Sequence, residues 1–163
     1  MTSLWNSVTK KTTNFSSLKG NIKADIVIIG AGMAGILTAY LLQKKGYSCV
    51  ILEAAKIGEG QTHHTTAKLT AQHGLIYQKL FDLFPLELGR QYYEANLLGL
   101  KKYQEIIQDK KIDCDFTQCP SFLYSLKNAE LLEKEFAAAQ QLGIDAFLTT
   151  DTELPFPIAQ ALT

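Results

Sequence analysis

Three glycines, Gly30, Gly32 and Gly35, are the residues whose spacing has the clearest chemical meaning. They follow a β-branched stretch and precede apolar residues at helical spacing, so we expect a turn between a strand and a helix. In such a turn the first glycine permits a tight bend, the second lets the backbone approach a pyrophosphate, and the third lets the helix lie against the strands. The N–H groups at the helix N-terminus then bind phosphate. The spacing therefore predicts a dinucleotide-binding site.

An acidic residue at the end of the next apolar stretch supports this interpretation. Glu53 lies 18 residues after Gly35 (53 minus 35). Its carboxylate would accept hydrogen bonds from a ribose 2′-hydroxyl and would repel a 2′-phosphate, so FAD or NAD is favoured over NADP. A glycine-rich turn that binds no ligand is the alternative, and the position of Glu53 argues against it.

The glycines require a strand, a helix and a second strand to position them. Residues 24–30 and 48–53 are apolar stretches typical of buried strands, and residues 35–45 have the periodicity of a helix. Gly46 follows that helix, where a cap with positive φ is expected. Such βαβ units are parallel and right-handed.

Two further helices are predicted next along the chain. Thr62 is the natural N-cap of a short helix that reaches about His73 and stops at Gly74. A long amphipathic helix is predicted over residues 87–110, because apolar residues recur there on one stripe. That stripe consists of Leu88, Tyr92, Ala95, Gly99, Tyr103 and Ile106.

The remaining pattern indicates a hairpin, a helix and a strand. Residues 113–118 and 122–126 flank a Cys-Pro-Ser connection, which predicts a short antiparallel hairpin. Asn128 is expected to cap a helix that ends at Gly143, and a strand is expected at residues 146–149. The helix should turn Leu132, Phe136, Ala139 and Leu142 toward a core.

Composition excludes several classes of protein. The chain has 163 residues, about one domain, with 16 Lys and Arg against 16 Asp and Glu, so a nucleic-acid-binding surface is not favoured. The 47% hydrophobic content is too high for a disordered chain. We find no apolar run long enough for a membrane span and no signal-peptide pattern, so we expect a cytoplasmic protein.

The cysteines and histidines do not indicate a metal site. Three cysteines are an odd number, and Cys114 and Cys119 lack the further ligands that a zinc site needs. His63 and His64 are adjacent and would point about 100° apart on a helix, so they cannot easily share a metal. We therefore predict no metal.

Three segments together resemble a known family. Residues 25–35, 50–53 and 57–74 are similar to the N-terminal part of FAD-dependent oxidoreductases of the D-amino-acid oxidase, glycine oxidase and sarcosine oxidase group. Residues 3–5 resemble an N-terminal arm found in part of that group. Residues 65–74 most resemble members with a C-terminal Rieske iron–sulfur module, whose Cys and His ligands are not among these 163 residues.

The resemblance implies FAD as the cofactor and assigns residues to it. The nucleotide half of FAD would lie on the glycine turn and beside Glu53. The loop after Glu53 would fold over the pyrophosphate and approach the flavin ring. Lys68 would stabilise negative charge on the reduced flavin, unless it is an ordinary solvated lysine. The implied cofactor-binding residues are Gly30, Ala31, Gly32, Met33, Ala34, Gly35, Glu53, Ala54, Thr62, His63, Thr65, Thr66, Ala67 and Lys68.

The expected fold class is α/β. A Rossmann-like βαβ unit that binds FAD is followed by the helical and β-hairpin start of a substrate or cap domain. The expected parts are an N-terminal arm at 1–23, the FAD-binding part at 24–75, the start of the substrate domain at 76–150, and a return segment at 151–163. Two parallel strands and one helix cannot cover both faces of a parallel sheet, so we expect a missing C-terminal part, with or without a Rieske module.

The implied function is oxidation of a C–N bond in an amino acid or related amine, with hydride transfer to flavin. No catalytic acid or base can be assigned, and Tyr92, Tyr93, Tyr103 and Tyr124 have spacing typical of core packing rather than substrate binding. One alternative is a truncated, non-catalytic chain that is stabilised by a partner or by self-association. A second alternative is an NAD-binding domain.

Overall fold

The computed structural model describes Trp5 and residues 14–163. These residues divide into two compact units, one up to Lys68 and one from Leu69, here called the N-terminal unit and the C-terminal unit. Apart from Trp5, the part of the predicted N-terminal arm before Asn14 lies outside the described residues. The predicted boundaries between parts of the chain, after residues 23, 75 and 150, stay predictions. None of the helices within the described part of the chain is long and apolar enough to cross a membrane.

The N-terminal unit contains a strand, a helix and a strand in the predicted order. Strand β1 spans Ile26–Ile29, helix α1 spans Met33–Lys44, and strand β2 spans Cys49–Leu52. The two strands are parallel, with Ile26 opposite Cys49. Gly46 has a φ of +91°, as predicted for the residue that turns the chain after α1.

A group of hydrogen bonds joins the starts of the two strands. Asp25 Oδ2 accepts from the backbone N–H of Ser48 at 2.8 Å and from the Ser48 hydroxyl at 2.9 Å. The backbone N–H of Asp25 donates in return to Ser48 Oγ at 3.0 Å. The N–H bond from Ser48, followed by the hydroxyl bond, lowers the pKa of Asp25 below its usual range, so this connection is present at neutral pH.

One face of the two-stranded sheet is exposed. Ile26 and Ile28 are half-buried, whereas Val27 and Ile29 alternate with them and are 55% and 89% exposed. Alternation is the normal consequence of the strand pleat, but here both sets of side chains are apolar. Strands with apolar residues on both faces are typical of parallel sheets covered on both sides.

The C-terminal unit contains three helices and three strands. Helix α2 spans Ile76–Leu83, α3 spans Leu86–Lys110 and α4 spans Glu130–Leu142. Strands β3, β4 and β5 span Leu123–Ser125, Leu148–Thr149 and Gln160–Leu162. The sheet order is β3-β5-β4, and both pairings are antiparallel.

Two sequence predictions of secondary structure are wrong. The predicted hairpin does not form, because residues 113–118 are irregular, Asp115 has a φ of +50°, and β3 pairs with the distant β5. Local alternation cannot reveal a pairing with residues so far along the chain. The helix predicted from Thr62 to His73 is only a 3₁₀ turn at Gln61–His64, and its N-cap is Gly60.

The two longer helices of the C-terminal unit confirm their predictions. Helix α3 begins within one residue of the predicted start, although Leu88 and Ala95 of the expected stripe are exposed. Asn128 Oδ1 accepts from the backbone N–H of Glu130 at 2.8 Å and so caps α4. Gly143 ends α4 with a φ of +73°. Of the expected core residues of α4, Leu132, Ala139 and Leu142 are buried and Phe136 is half-buried.

Aromatic rings pack at the centre of the C-terminal unit, in a region that sequence reasoning did not identify as a helix. Tyr77 of α2 is fully buried beside Ala138 and Leu142 of α4. Its ring meets Tyr93 and Tyr92 of α3 edge-on, with ring centroids 5.9 Å and 6.3 Å apart. Burial, followed by the neighbouring tyrosines, raises the pKa of Tyr77. Core packing of Tyr92 and Tyr93 is thereby confirmed.

A buried carboxylate completes this core. Glu135 of α4 is fully buried, and its Oε1 and Oε2 accept from the backbone N–H groups of Tyr77 and Gln78 at 3.0 Å and 2.9 Å. These N–H groups belong to the first turn of α2, which has no side-chain cap of its own. Gln72 Nε2 also donates to Glu135 Oε1, at 2.6 Å. Glu135 therefore caps a helix from outside it, and the helix N-terminus favours its negative charge.

Replacement of Glu135 by glutamine should destabilise the C-terminal unit. The Glu135→Gln amide would turn an N–H group toward a buried backbone N–H, so we expect a loss of about 1–3 kcal/mol in the free energy of unfolding. Urea denaturation measures this change. Glu133→Gln, an exposed position on the same helix, is the control and should change the free energy by less than about 0.5 kcal/mol. Equal stability of the two variants would contradict the capping role.

Candidate functional site

The glycine turn between β1 and α1 is closed by backbone contacts. The N–H of Gly30 donates to the carbonyl oxygen of Leu52 at 2.7 Å, and Gly30 has a φ of +97°, which side chains disfavour. A Cβ atom on Gly35 would lie only 2.0 Å from the carbonyl oxygen of Gly30. The start of α1 therefore lies directly against the end of β1, and the third glycine is required for that approach.

The N-terminus of α1 is capped by a threonine from the next loop. Gly32 is the N-cap residue and has no side chain to offer. Instead, Thr62 Oγ1 accepts from the backbone N–H of Met33 at 3.0 Å. A Cβ atom on Gly32 would lie 3.4 Å from that same oxygen, in van der Waals contact with it. The sequence predicted Thr62 as the cap of its own helix, but its hydroxyl group caps α1.

Glu53 connects the loop after β2 to the glycine turn. Its Oε2 accepts from the backbone N–H of Ala31 and its Oε1 from the N–H of Ala55, both at 2.8 Å. These bonds, that of Ala31 first, lower the pKa of Glu53 below its usual range. A carboxyl group with a lowered pKa in the folded state stabilises the fold above its ordinary pKa, and this contribution is lost as pH falls through the lowered value.

Hydrogen bonds and one ion pair fix the loop between β2 and residue 68. The N–H of Gly58 donates to the carbonyl oxygen of Ala31 at 2.9 Å. Lys56 and Glu59 form an exposed ion pair at 2.9 Å. The indole N–H of Trp5 donates to the carbonyl oxygen of Thr65 at 2.8 Å. Gly58 and Trp5 lie in segments that resemble the family, but neither is among the predicted cofactor-binding residues. The φ of +75° at Gly58 is a conformation that glycine adopts without strain.

The structure places the expected cofactor residues in one unit, but not all of them in one contact network. Hydrogen bonds bring Gly30, Ala31, Met33, Glu53 and Thr62 together. Ala31 is buried. Gly32, Met33, Gly35, Thr62 and His63 are half-buried, and Ala34, Ala54, Thr65, Thr66, Ala67 and Lys68 are exposed. Ala67 has a φ of +55°, an uncommon conformation for alanine. The cofactor-binding roles of all these residues stay predictions.

Donor chemistry around the turn fits a dinucleotide. The first turn of α1 has N–H groups without acceptors inside the helix, and this end carries partial positive charge. Glu53 remains negative and has further lone pairs for hydroxyl groups. Among the described residues, no group of three His, Cys, Asp or Glu side chains is placed to hold a metal ion.

The sequence comparisons agree with this geometry. Residues 25–162 match the family described as FAD dependent oxidoreductase. The chain belongs to this family. Its glycine turn and most of both units lie within the matched residues. FAD-dependent oxidoreductases are enzymes, so the chain is part of an oxidoreductase family.

Two curated proteins are similar to the chain. The first is YhfW of Bacillus subtilis (strain 168), whose name describes it as a Rieske 2Fe-2S iron-sulfur protein; it is 38% identical over 151 residues, which cover 91% of this chain and 29% of YhfW. The second is gamma-glutamylputrescine oxidoreductase of Escherichia coli (strain K12), 26% identical over 106 residues, which cover 65% of this chain and 25% of that protein. The matched regions span less than a third of either relative.

A side chain at Gly35 should disrupt the turn. In Gly35→Ala the Cβ would overlap the Gly30 carbonyl oxygen, so α1 must shift, and we expect a loss of about 1–3 kcal/mol in the free energy of unfolding. Thermal unfolding followed by circular dichroism measures it. Gly99→Ala is the control, because Gly99 lies inside α3 with open space around its Cβ position and should lose no stability. A Gly35→Ala protein as stable as Gly99→Ala would show that the close approach is unimportant.

Proposed function

We propose that this chain binds FAD on the glycine turn and is the N-terminal, nucleotide-binding part of an enzyme that oxidises a C–N bond of an amino acid or related amine. The observation that carries the proposal is the convergence of two side chains on one turn. The Glu53 carboxylate accepts a hydrogen bond from the N–H of Ala31, and the Thr62 hydroxyl oxygen accepts one from the N–H of Met33. Both side chains fix the backbone of the turn next to the N-terminus of α1, where a phosphate would bind.

The side chains of Glu53 and Thr62 bind two different backbone N–H groups of the turn. Because the N–H groups of Ala31 and Met33 are already bonded, the pyrophosphate would be bound by the N–H groups that alternate with them, those of Gly32 and Ala34. The Thr62 oxygen accepts from Met33, so its own O–H is directed to another acceptor, and a phosphate oxygen is a suitable one. Thr62 would then bind the cofactor and cap α1 at once.

Glu53 would select the nucleotide. Its lowered pKa keeps it negative at neutral pH, and its remaining lone pairs would accept from the ribose hydroxyl groups of FAD. The same charge would repel a 2′-phosphate, which disfavours NADP. NAD has the same free hydroxyl group, so the family membership is the reason for preferring FAD.

The loop that ends at Lys68 would approach the reactive part of the cofactor. Bound flavin would accept a hydride from the carbon atom that bears the substrate nitrogen, so that the C–N bond becomes C=N. Thr65 and Thr66 would bind the cofactor through backbone and hydroxyl groups. Lys68 would place a positive charge where the reduced cofactor carries negative charge. The name of the Escherichia coli relative, a gamma-glutamylputrescine oxidoreductase, supports an amine as the substrate class.

The domain organisation of the proposal follows the sequence prediction. Residues 24–75 would form a Rossmann-like FAD-binding part, residues 76–150 the start of a substrate or cap domain, and residues 151–163 a segment that leads on. Either further polypeptide of the same enzyme or a Rieske module would complete the protein. The name of YhfW, a Rieske 2Fe-2S iron-sulfur protein, supports the Rieske module.

FAD binding tests the function directly. The chain is mixed with FAD, passed through a gel-filtration column, and its absorbance is recorded from 300 to 550 nm. We expect a flavin band with the protein, and we expect Glu53→Gln to weaken the affinity for FAD by roughly tenfold or more, because a charged acceptor is lost. Glu94→Gln, an exposed acid of α3 outside the candidate site, is the control and should bind as the parent does.

Two outcomes would contradict this proposal. A folded chain that retains no flavin at saturating FAD would show that these residues do not suffice for binding. Tighter binding of NAD than of FAD in the same titration would favour the NAD-binding alternative. Loss of binding in Glu53→Gln counts only if circular dichroism shows that the variant is folded.

The exposed face of the β1-β2 sheet favours a second candidate, a non-catalytic chain stabilised by a partner or by self-association. Ile29 is 89% exposed beside the 55% exposed Val27. An apolar surface of this kind is unfavourable in water and is typical of an interface. Covering it with a second copy or with another chain would stabilise the N-terminal unit whether or not FAD binds.

Sedimentation velocity distinguishes this second candidate. We expect the chain to associate in a concentration-dependent way. Ile29→Thr should lower the association constant about tenfold, because it removes an exposed apolar side chain from the interface. Ile57→Thr is the control, since Ile57 is exposed in the loop and not on the sheet. A monomer that unfolds cooperatively and binds FAD would count against this candidate.

A further inference from the structure

The indole of Trp5 contacts the loop that ends at Lys68, far away from it in sequence. Its N–H donates to the carbonyl oxygen of Thr65 at 2.8 Å, and the Trp5 side chain is half-buried. Residues 65–68 are all exposed, and among the described residues no other hydrogen bond reaches them from outside the loop. The position of Thr65 therefore depends on a residue that lies 60 positions earlier in the chain.

Two further hydrogen bonds connect Thr65 to the N-terminus of α1. The Thr65 hydroxyl donates to the carbonyl oxygen of Thr62 at 3.2 Å. The Thr62 hydroxyl oxygen in turn accepts from the N–H of Met33 at 3.0 Å. Three consecutive hydrogen bonds thus join the Trp5 indole to the first turn of α1. All of these residues belong to the N-terminal unit.

The backbone next to the Trp5 contact has a conformation that needs support. Ala67 has a φ of +55°, which a residue with a Cβ atom rarely adopts. Its N–H donates to the Thr65 hydroxyl oxygen at 3.4 Å. Unfavourable backbone conformations persist where the surrounding contacts hold them, and they are common at ligand sites. Trp5 fixes the one residue to which both Thr62 and Ala67 are bonded.

We propose that Trp5 is a positioning residue for the phosphate part of the cofactor site. Its N–H fixes the Thr65 carbonyl group, and the Thr65 hydroxyl holds Thr62. The Thr62 hydroxyl then stays beside the start of α1, where its own proton is available to a phosphate oxygen. Trp5 acts through Thr65 in this arrangement. The inference rests on the proposed binding of FAD to the glycine turn.

The chain has a single tryptophan, so a tryptophan analogue changes Trp5 alone. Expression in a tryptophan auxotroph supplied with 3-benzothienylalanine replaces the indole N–H by sulfur and keeps the shape of the rings. 5-Fluorotryptophan, which keeps the N–H, is the matched control. The benzothienyl chain therefore lacks the donor of the hydrogen bond to Thr65, while the fluorinated chain retains it.

Hydrogen exchange tests the connection without FAD. We expect the amide hydrogen of Met33 to exchange about threefold or more faster in the benzothienyl chain than in the fluorinated chain, because Thr62 is held less firmly. The amide hydrogen of Ser48 is the internal control. It is bonded to Asp25 at the other end of the sheet and should exchange at the same rate in both chains.

Titration with FAD gives the functional readout. The benzothienyl chain should bind FAD about threefold or more weakly than the fluorinated chain. Thr65→Val removes the hydroxyl group that joins Thr65 to Thr62, so in this variant the two analogues should bind FAD equally. If Trp5 only stabilised the fold, the analogues would differ in thermal stability, and the folded chains would bind FAD with equal affinity.

Three results would overturn this inference and leave the proposed function intact. Equal exchange of the Met33 amide hydrogen in the two analogue chains would show that Trp5 does not hold Thr62. Equal affinity for FAD would show that the contact has a structural role alone. A difference in affinity that persists in Thr65→Val would show that Trp5 acts by another route. By contrast, a folded fluorinated chain that binds no FAD would contradict the proposed function and this inference with it.

Discussion

The contact between the carbonyl oxygen of Gly30 and the start of α1 is the constraint on which the N-terminal unit depends. Only a residue without Cβ at position 35 allows it, since a Cβ would lie 2.0 Å from that oxygen. The contact sets the direction in which α1 leaves the sheet. The helix N-terminus then lies at the carboxyl end of β1, where Glu53 at the end of the parallel β2 can reach it. The partial positive charge and the carboxylate meet there because two backbones approach closely.

A second carboxylate follows the same physical rule in the C-terminal unit. Glu135 lies fully buried with the N-terminus of α2, whereas Glu53 lies exposed with the glycine turn. In each case the carboxylate accepts hydrogen bonds from backbone N–H groups at or next to the start of a helix, where negative charge is favoured. The difference in exposure separates their roles. A fully enclosed carboxylate has a structural role, and an exposed one keeps lone pairs for a ligand.

Most of what could be predicted from the sequence lies within a single element or between neighbours in the chain. The glycine spacing, Glu53 and the turn at Gly46 are local patterns, and the structure has the strand, helix and strand that they indicate. The pairing of β3 with β5 and the capping of α2 by Glu135 join residues far apart in sequence. No periodicity contains such information, because it depends on tertiary packing. For the same reason Thr62 was recognised as a cap but assigned to the wrong helix.

The distribution of hydrogen-bond donors in the glycine turn has a consequence for binding. Two of its N–H groups, from Ala31 and Met33, are occupied by Glu53 and Thr62 before any ligand arrives. A phosphate that bound here, as we propose, would not have to order the turn, and less conformational entropy would be lost on binding. The Glu53 carboxylate takes the donor nearest the strand, so a bound phosphate would use other donors nearer the helix start. Preorganisation of the turn and separation of the two anions would then come from the same pair of hydrogen bonds.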